Sequence, residues 1–210
     1  LLGQCAVMRV LAIETATEAC SAALFDNGAL VDSRHEVLGR GHAERLVPMI
    51  AELPGKGRAD EIRVSLGPGS FTGVRIGLAV ARALGIAWHA EVRGYPTLAL
   101  VAAMARGDSG QTVTACMTGG HGEWFVQDFG GDGLPLGAVA SFPPANAAAR
   151  SLGDLLAGSK AEELGELAGR TPDPVRLPDA RHVPALPDSL LRADLAPLYG
   201  RAPDAKLPGG

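Results

Sequence analysis

The sequence predicts an α/β fold in two related halves, and three observations carry that prediction. Short apolar and β-branched runs alternate with longer stretches of helix formers, so strands and helices interleave along the chain. Each half opens with three short strands before its first helix. A glycine turn, Gly67-Pro68-Gly69, joins one strand directly to the longest helix, and the other elements can be placed relative to that unit.

Residues 8–13 and 20–25 read as strands joined by the polar connector 14–18. Asn27-Gly28 is a strong hairpin signal, and it leads into a third strand over 29–37, giving an antiparallel meander. Gly39-Arg40-Gly41 ends that strand. Residues 42–53 follow as a helix with Leu46, Met49, Ile50 and Leu53 on one face, and Pro48 predicts a kink or an irregular start. After the connector 54–60, residues 62–66 form a buried strand and 72–84 a helix, which Ser70 or Thr72 can cap. A strand over 86–92, a helix over 97–106 behind Pro96, and a polar boundary at 107–111 complete the first half.

The second half repeats the plan in shorter form. Strands are predicted over 112–117, 123–129 and 134–141, with the first two joined through Gly119-Gly120, then a helix over 145–152 and a short strand over 155–158. From residue 171 prolines leave room for little more than a short helix at 189–191. The predicted division is therefore 1–7, 8–107, 108–200 and a tail over 201–210. Residues 1–7 precede Met8, which reads as a natural initiator, and are taken as an upstream extension or a cloning remnant.

The helix over 72–84 is the most informative segment. Gly73, Gly77, Ala81 and Gly85 recur every fourth residue and so share one face, while Arg75 and Arg82 lie on roughly the opposite one. An interior glycine costs about 1 kcal/mol relative to alanine, so this stripe implies a close neighbour. The apolar residues around it require cover on two sides. One cover is the domain's own sheet; the other is a helix of this chain or of a partner.

Composition narrows the function. With 47% hydrophobic and 20% charged residues the chain can build a substantial core. No run is read as a membrane span and no signal peptide is read at the start, so a cytoplasmic location is expected. Net charge −4 and 4% aromatic residues do not fit a primary nucleic-acid binder. Three unpaired cysteines, Cys5, Cys20 and Cys116, suggest neither a disulfide framework nor a zinc site.

The glycine turn invites a phosphate reading, because free N–H groups at a helix start attract anions. Its spacing fits neither the P-loop nor the dinucleotide pattern, and Ser70 lacks the following glycine of a nucleophile elbow. His121, Glu123 and Trp124 include part of a zinc-deaminase signature, but its Pro-Cys-x-x-Cys is missing, so a surface hairpin is expected. His35, His42 and Glu44 are polar enough to act as ligands or bases, yet the chain has no pair of histidines four residues apart.

Leu11-Ala12-Ile13-Glu14-Thr15-Ala16-Thr17, His42-Ala43-Glu44-Arg45-Leu46-Val47-Pro48, the run from Gly67 through Gly-Ser-Phe-Thr-Gly to Gly77, and Pro197-Leu198-Tyr199-Gly200-Arg201 together resemble the TsaB (YeaZ) family. The resemblance is closest from Met8 to Arg106. It implies two related actin-like, Hsp70-like (ASKHA) subdomains, each a mixed sheet that opens with an antiparallel meander and is packed by helices. It also implies a non-catalytic subunit, without cofactor or metal, in making threonylcarbamoyladenosine in tRNAs that read codons beginning with A. The implied partners are a TsaD-type catalytic paralogue and a TsaE-type ATPase, with a homodimer when alone, indirect contact with tRNA and none with membrane.

By the same resemblance, pairing is expected through the helices of the first domain, at His42, Arg45, Leu46, Met49, Gly73, Val74, Gly77, Leu78 and Ala81. The catalytic siblings' two metal-binding histidines fall here on Thr97 and Val101. Thr118 stands where an acidic residue is expected, and Gly200 where leucine is usual. Two enzymatic alternatives remain. One is a kinase-like ATPase with a residual nucleotide site at Glu14, Thr15 and Thr17; the other is a metallopeptidase-like hydrolase, which lacks recognisable ligands and a nucleophile motif.

Overall fold

A computed structural model describes residues 8–200; the expected extension 1–7, with Cys5, and the tail 201–210 lie outside the described residues. Strands β1 (Arg9–Glu14), β2 (Ala19–Asp26) and β3 (Ala29–Val37) form the predicted meander. Asn27 and Gly28 both take positive φ, 48° and 83°, as a two-residue hairpin of right-handed twist requires. In register, Arg9 faces Asp26 and Glu14 faces Ser21. β4 (Glu61–Ser65) and β5 (Glu91–Tyr95) then add in parallel, giving a five-stranded sheet of order β3-β2-β1-β4-β5.

The second sheet repeats that order one strand short. β6 (Val113–Thr118), β7 (Trp124–Phe129) and β8 (Ala140–Phe142) are antiparallel neighbours, and β9 (Leu155–Ala157) pairs in parallel with β6, giving β8-β7-β6-β9. The strand predicted over 134–141 shrinks to 140–142. Upstream of it, an isolated bridge between Phe129 and Pro135 continues the pairing, because Pro135 has no ladder donor and Gly137 has no side chain to pack.

Alternation along β1 and β2 sends their side chains into two different cores. Leu11, Ile13, Cys20, Ala22 and Leu24 pack beneath α1 (His42–Ala51) and α2 (Phe71–Trp88). Val10, Ala12, Ala23 and Phe25 face the other way, onto α3 (Thr97–Arg106) and the second sheet. Thus α1 and α2 lie side by side on one face of the first sheet, and α3 fills the space between the sheets. α4 (Pro144–Ala148) and α5 (Ala161–Ala168) cover the outer face of the second sheet.

Three expectations are corrected. Residues 86–88, predicted as strand, complete α2, which stops only where His89 turns left-handed at φ 56°. Helix α5 was not predicted; its Gly165 makes room for the Arg170 carbonyl. And α2 proves long and apolar enough, by length and composition, to cross a membrane, although its glycine face is packed on the sheet.

The last described segment returns to the first half. The Ala180 amide donates to Ser21 Oγ at 3.0 Å, Arg192 and Gly94 exchange both backbone hydrogen bonds, and the Leu198 amide donates to the Leu66 carbonyl at 2.8 Å. Residues 179–200 therefore follow the second sheet in sequence but brace the first in space.

Candidate functional site

The small-residue stripe of α2 is occupied from within the chain. A Cβ on Gly73 would fall well under 3.0 Å from the Thr15 carbonyl oxygen, and one on Gly77 equally close to Thr15 Oγ1. Thr15 Oγ1 in turn donates to the Gly73 carbonyl at 2.8 Å. Further along, a Cβ on Gly85 would lie 2.5 Å from Val92 Cγ2. The glycines let α2 settle onto the end of β1 and onto β5.

This corrects the residue assignment for a partner face. His42, Leu46, Met49, Gly73, Val74, Gly77, Leu78 and Ala81 are all buried in the chain's own core. His42 Nε2 lies 3.2 Å from the Ala19 carbonyl. Arg45 is the exception, and it is engaged by Glu36 and Glu52 across β3 and α1, which hold its guanidinium more firmly protonated. The open sides of the two helices carry other residues: Ala43, Val47, Pro48 and Ala51 on α1, and Ala79, Ala83 and Ile86 on α2, with Arg75 and Arg82 alongside. Ile86 is 79% exposed and Val47 51%, so two adjacent helices present an apolar surface to solvent.

A second feature lies between the sheets. The Gly67–Gly69 turn and the start of α2 form one wall of a cleft of about 750 Å³, the β6–β7 turn forms another, and residues 197–200 cross its mouth. Ser70 caps α2 by accepting from the Gly73 amide at 3.2 Å. Phe71 and Tyr199 stand on the rim with ring centroids 6.2 Å apart, and the Arg75 guanidinium sits 3.5 Å from the Phe71 centroid.

The residues singled out for a nucleotide do not meet in this cleft. Thr17 lines it, but its hydroxyl accepts from the Ala19 amide at 3.2 Å. Glu14 and Thr15 are fully buried beneath it. Burial pushes the Glu14 carboxyl up to about 7, against hydrogen bonds from the Ala16 amide, Ser65 and Tyr95 that favour its charged form. A carboxylate that holds a hydrated magnesium ion has to be ionised and open to the ligand, and Glu14 is closed off.

The positions matching the siblings' metal ligands do not fit a metal either. Thr97 and Val101 are fully buried; the Thr97 hydroxyl is 2.7 Å from Ser65 Oγ, and valine has no donor atom. Among the described residues no group of three or more His, Cys, Asp or Glu side chains is placed to hold an ion. The 121–124 cluster is a hairpin turn: His121 has φ 57°, Trp124 is buried, and Glu123 accepts from Ser141 Oγ at 2.6 Å.

Two sheets that share one strand order around a cleft define the actin-like α/β class. The solved structure of YeaZ from Pseudomonas aeruginosa superposes with a TM-score of 0.71 at 30% identity, over 83% of this chain and 88% of that one. A second Pseudomonas aeruginosa structure, of an uncharacterized protein with similarity to peptidase YeaZ, gives 0.70 at 32% identity over the same shares. A family model described as TsaD, tRNA N6-adenosine threonylcarbamoyltransferase, matches residues 34–182. The Escherichia coli tRNA threonylcarbamoyladenosine biosynthesis protein TsaB is 38% identical over 128 residues, 58% of this chain and 55% of that protein. An uncharacterized Mycobacterium tuberculosis protein is 33% identical over 95% of both chains. The chain belongs to the TsaB (YeaZ) family, and the TsaD family model matches it as well. It spans about half the length of the first curated relatives it matches, 55% of the Escherichia coli protein and 41% of the one from Haemophilus influenzae.

Proposed function

We propose that this chain is a non-catalytic, cytoplasmic subunit in the synthesis of threonylcarbamoyladenosine in tRNA, and that it acts by pairing with a TsaD-type catalytic partner. A TsaE-type ATPase joins the pair, tRNA is held by the partner, and the chain pairs with itself when alone. The observation that carries this reading is the apolar surface that α1 and α2 turn to solvent. Ala43, Val47, Ala79, Ala83 and Ile86 are small or aliphatic, so another helical pair can approach closely and bury them. The interface assigned by resemblance to these helices thus moves to their outward sides.

Two further features support a subunit rather than an enzyme. Glu14, the carboxylate best placed by sequence for phosphate chemistry, is sealed in the core, and Thr97 and Val101, which the family resemblance sets against metal-binding histidines, are fully buried. The test is threonylcarbamoyl transfer to tRNA by the TsaD-type and TsaE-type proteins of the same organism, with and without this chain. The chain alone is expected to transfer nothing and the partner's activity to depend on it. Transfer by the chain alone, or full partner activity without it, overturns the reading.

A further inference from the structure

We infer that the cleft between the two sheets is a binding site for an aromatic or apolar small molecule with a single negative charge, which pairs with Arg75. The inference rests on the cleft alone and is independent of the partner reading.

A volume of about 750 Å³ is that of a small-molecule site, and its walls are mostly apolar. Phe71 and Tyr199 are 57% and 56% exposed, so two large rings offer apolar surface at its rim. Met117 and Phe125 face them from the second sheet. Together these side chains supply the apolar surface of the cleft, with the Phe71 and Tyr199 rings tilted 34° to one another.

Charge sets the rest of the ligand. Arg75 lies over the Phe71 ring, which fixes its plane, and no ion pair or hydrogen bond ties it to another described residue. A positioned guanidinium with its donors uncommitted suits a carboxylate, sulfonate or phosphate diester end, each a monoanion. A polyphosphate is disfavoured on three counts. Glu18 contributes a like charge to the cleft wall, and Glu14 is sealed away from any accompanying cation. Three of the glycines that line the cleft serve the chain's own packing: Gly69 admits the Ala16 carbonyl, Gly119 the Glu123 carbonyl and Gly200 the Phe125 ring, while Gly39 and Gly120 have open space beside them. These features favour a single charge at Arg75 over a polyphosphate.

Anilinonaphthalene sulfonate, an aromatic monoanion, is the probe, and neutral phenylnaphthylamine is its uncharged counterpart. Fluorescence titration is expected to show one saturable sulfonate site per chain. Arg75→Gln should weaken the sulfonate dye about tenfold, the worth of one charge-assisted hydrogen bond, and leave the neutral dye unchanged. Arg75→Lys should restore part of the loss, Phe71→Ala should weaken both dyes, and Ile86→Asp on the outer helix face should affect neither. Because Phe71 and Arg75 are exposed, all three variants at these positions are expected to fold, which thermal unfolding checks. Unchanged sulfonate binding in Arg75→Gln, loss of dye binding in Ile86→Asp, or displacement of the dye by magnesium-ATP at comparable concentration each overturns the inference.

Discussion

Replacing Gly77 by alanine tests how α2 is seated. On an open helix the change stabilises by about 1 kcal/mol, because alanine is the better helix former. Here the new methyl would fall well under 3.0 Å from Thr15 Oγ1, inside van der Waals contact, while its next neighbours, Val64 Cγ2 at 3.5 Å and Thr15 Cβ at 3.7 Å, are at ordinary distances. Thr15 is fully buried and its hydroxyl is bonded to the Gly73 carbonyl, so turning it aside gives up that bond, worth about 1 kcal/mol. Overpacking adds about 1–3 kcal/mol, so the net expectation is a loss of about 1–3 kcal/mol despite the gain in propensity. Urea unfolding at equal m-value measures it. The cause is specific enough for a cycle: with Thr15→Ala the obstructing oxygen is gone, and Gly77→Ala should become neutral or stabilising by up to about 1 kcal/mol, a coupling of about 1–4 kcal/mol. Gly73→Ala meets the Thr15 carbonyl instead, and Thr15→Ala should not rescue it. If Gly77→Ala stabilises the wild-type background by about 1 kcal/mol, the packing reasoning is wrong.

Glu14 should make stability depend on pH. Its folded carboxyl is raised from 4.5 to about 7, so the stabilisation is fully present below about pH 4.5 and is lost as pH rises through about 7. A shift of that size corresponds to a loss of about 3 kcal/mol, and Glu14→Gln should flatten the curve in urea titrations across this window. Burial pushes the Cys20 thiol up to about 11 and Cys116 to about 12, so in a Cys5→Ser background a thiol reagent at neutral pH should label neither until the protein unfolds. Gly200→Leu should collide with Phe125 and cost about 1–3 kcal/mol by thermal or urea unfolding, with Phe125→Ala recovering most of the loss.

Much of the first half was legible because local signals and burial agree there. Asn27-Gly28 forces the β2–β3 turn, the alternation in β1 and β2 sorts two cores, and Ser70 caps α2 as its position suggests. The strand predicted over 86–92 fails for a physical reason: Ile86-Ala87-Trp88 is a short apolar run that suits a helix end or a strand, and only the left-handed turn at His89 decides. The spacing of Gly73, Gly77 and Gly85 states that something comes close to α2. It does not state what, and the neighbour is the chain's own Thr15 and Val92 rather than a partner. The resulting partner face was therefore assigned to buried sides of the helices. Phe71 and Arg75 are one turn apart on α2, but the cleft was not legible because the return of residues 179–200 to the first sheet brings Tyr199 onto them, a long-range contact that no local pattern encodes. Phe71 could have been a signal, since a large ring at the exposed first position of a helix has little reason to be there unless it is covered.

The outward sides of α1 and α2 are proposed to pair this chain with a TsaD-type protein. Light scattering after size-exclusion chromatography tests it most directly, on this chain alone and mixed with the TsaD-type protein of the same organism, together with Val47→Asp and Ile86→Asp variants of unchanged melting temperature. A mixed pair is expected to form at the expense of a self-pair, with a loss of about 2 kcal/mol or more in pairing for each variant, roughly thirtyfold in affinity. A wild-type chain that stays monomeric beside the partner, or variants that pair as tightly as it does, would contradict the claim.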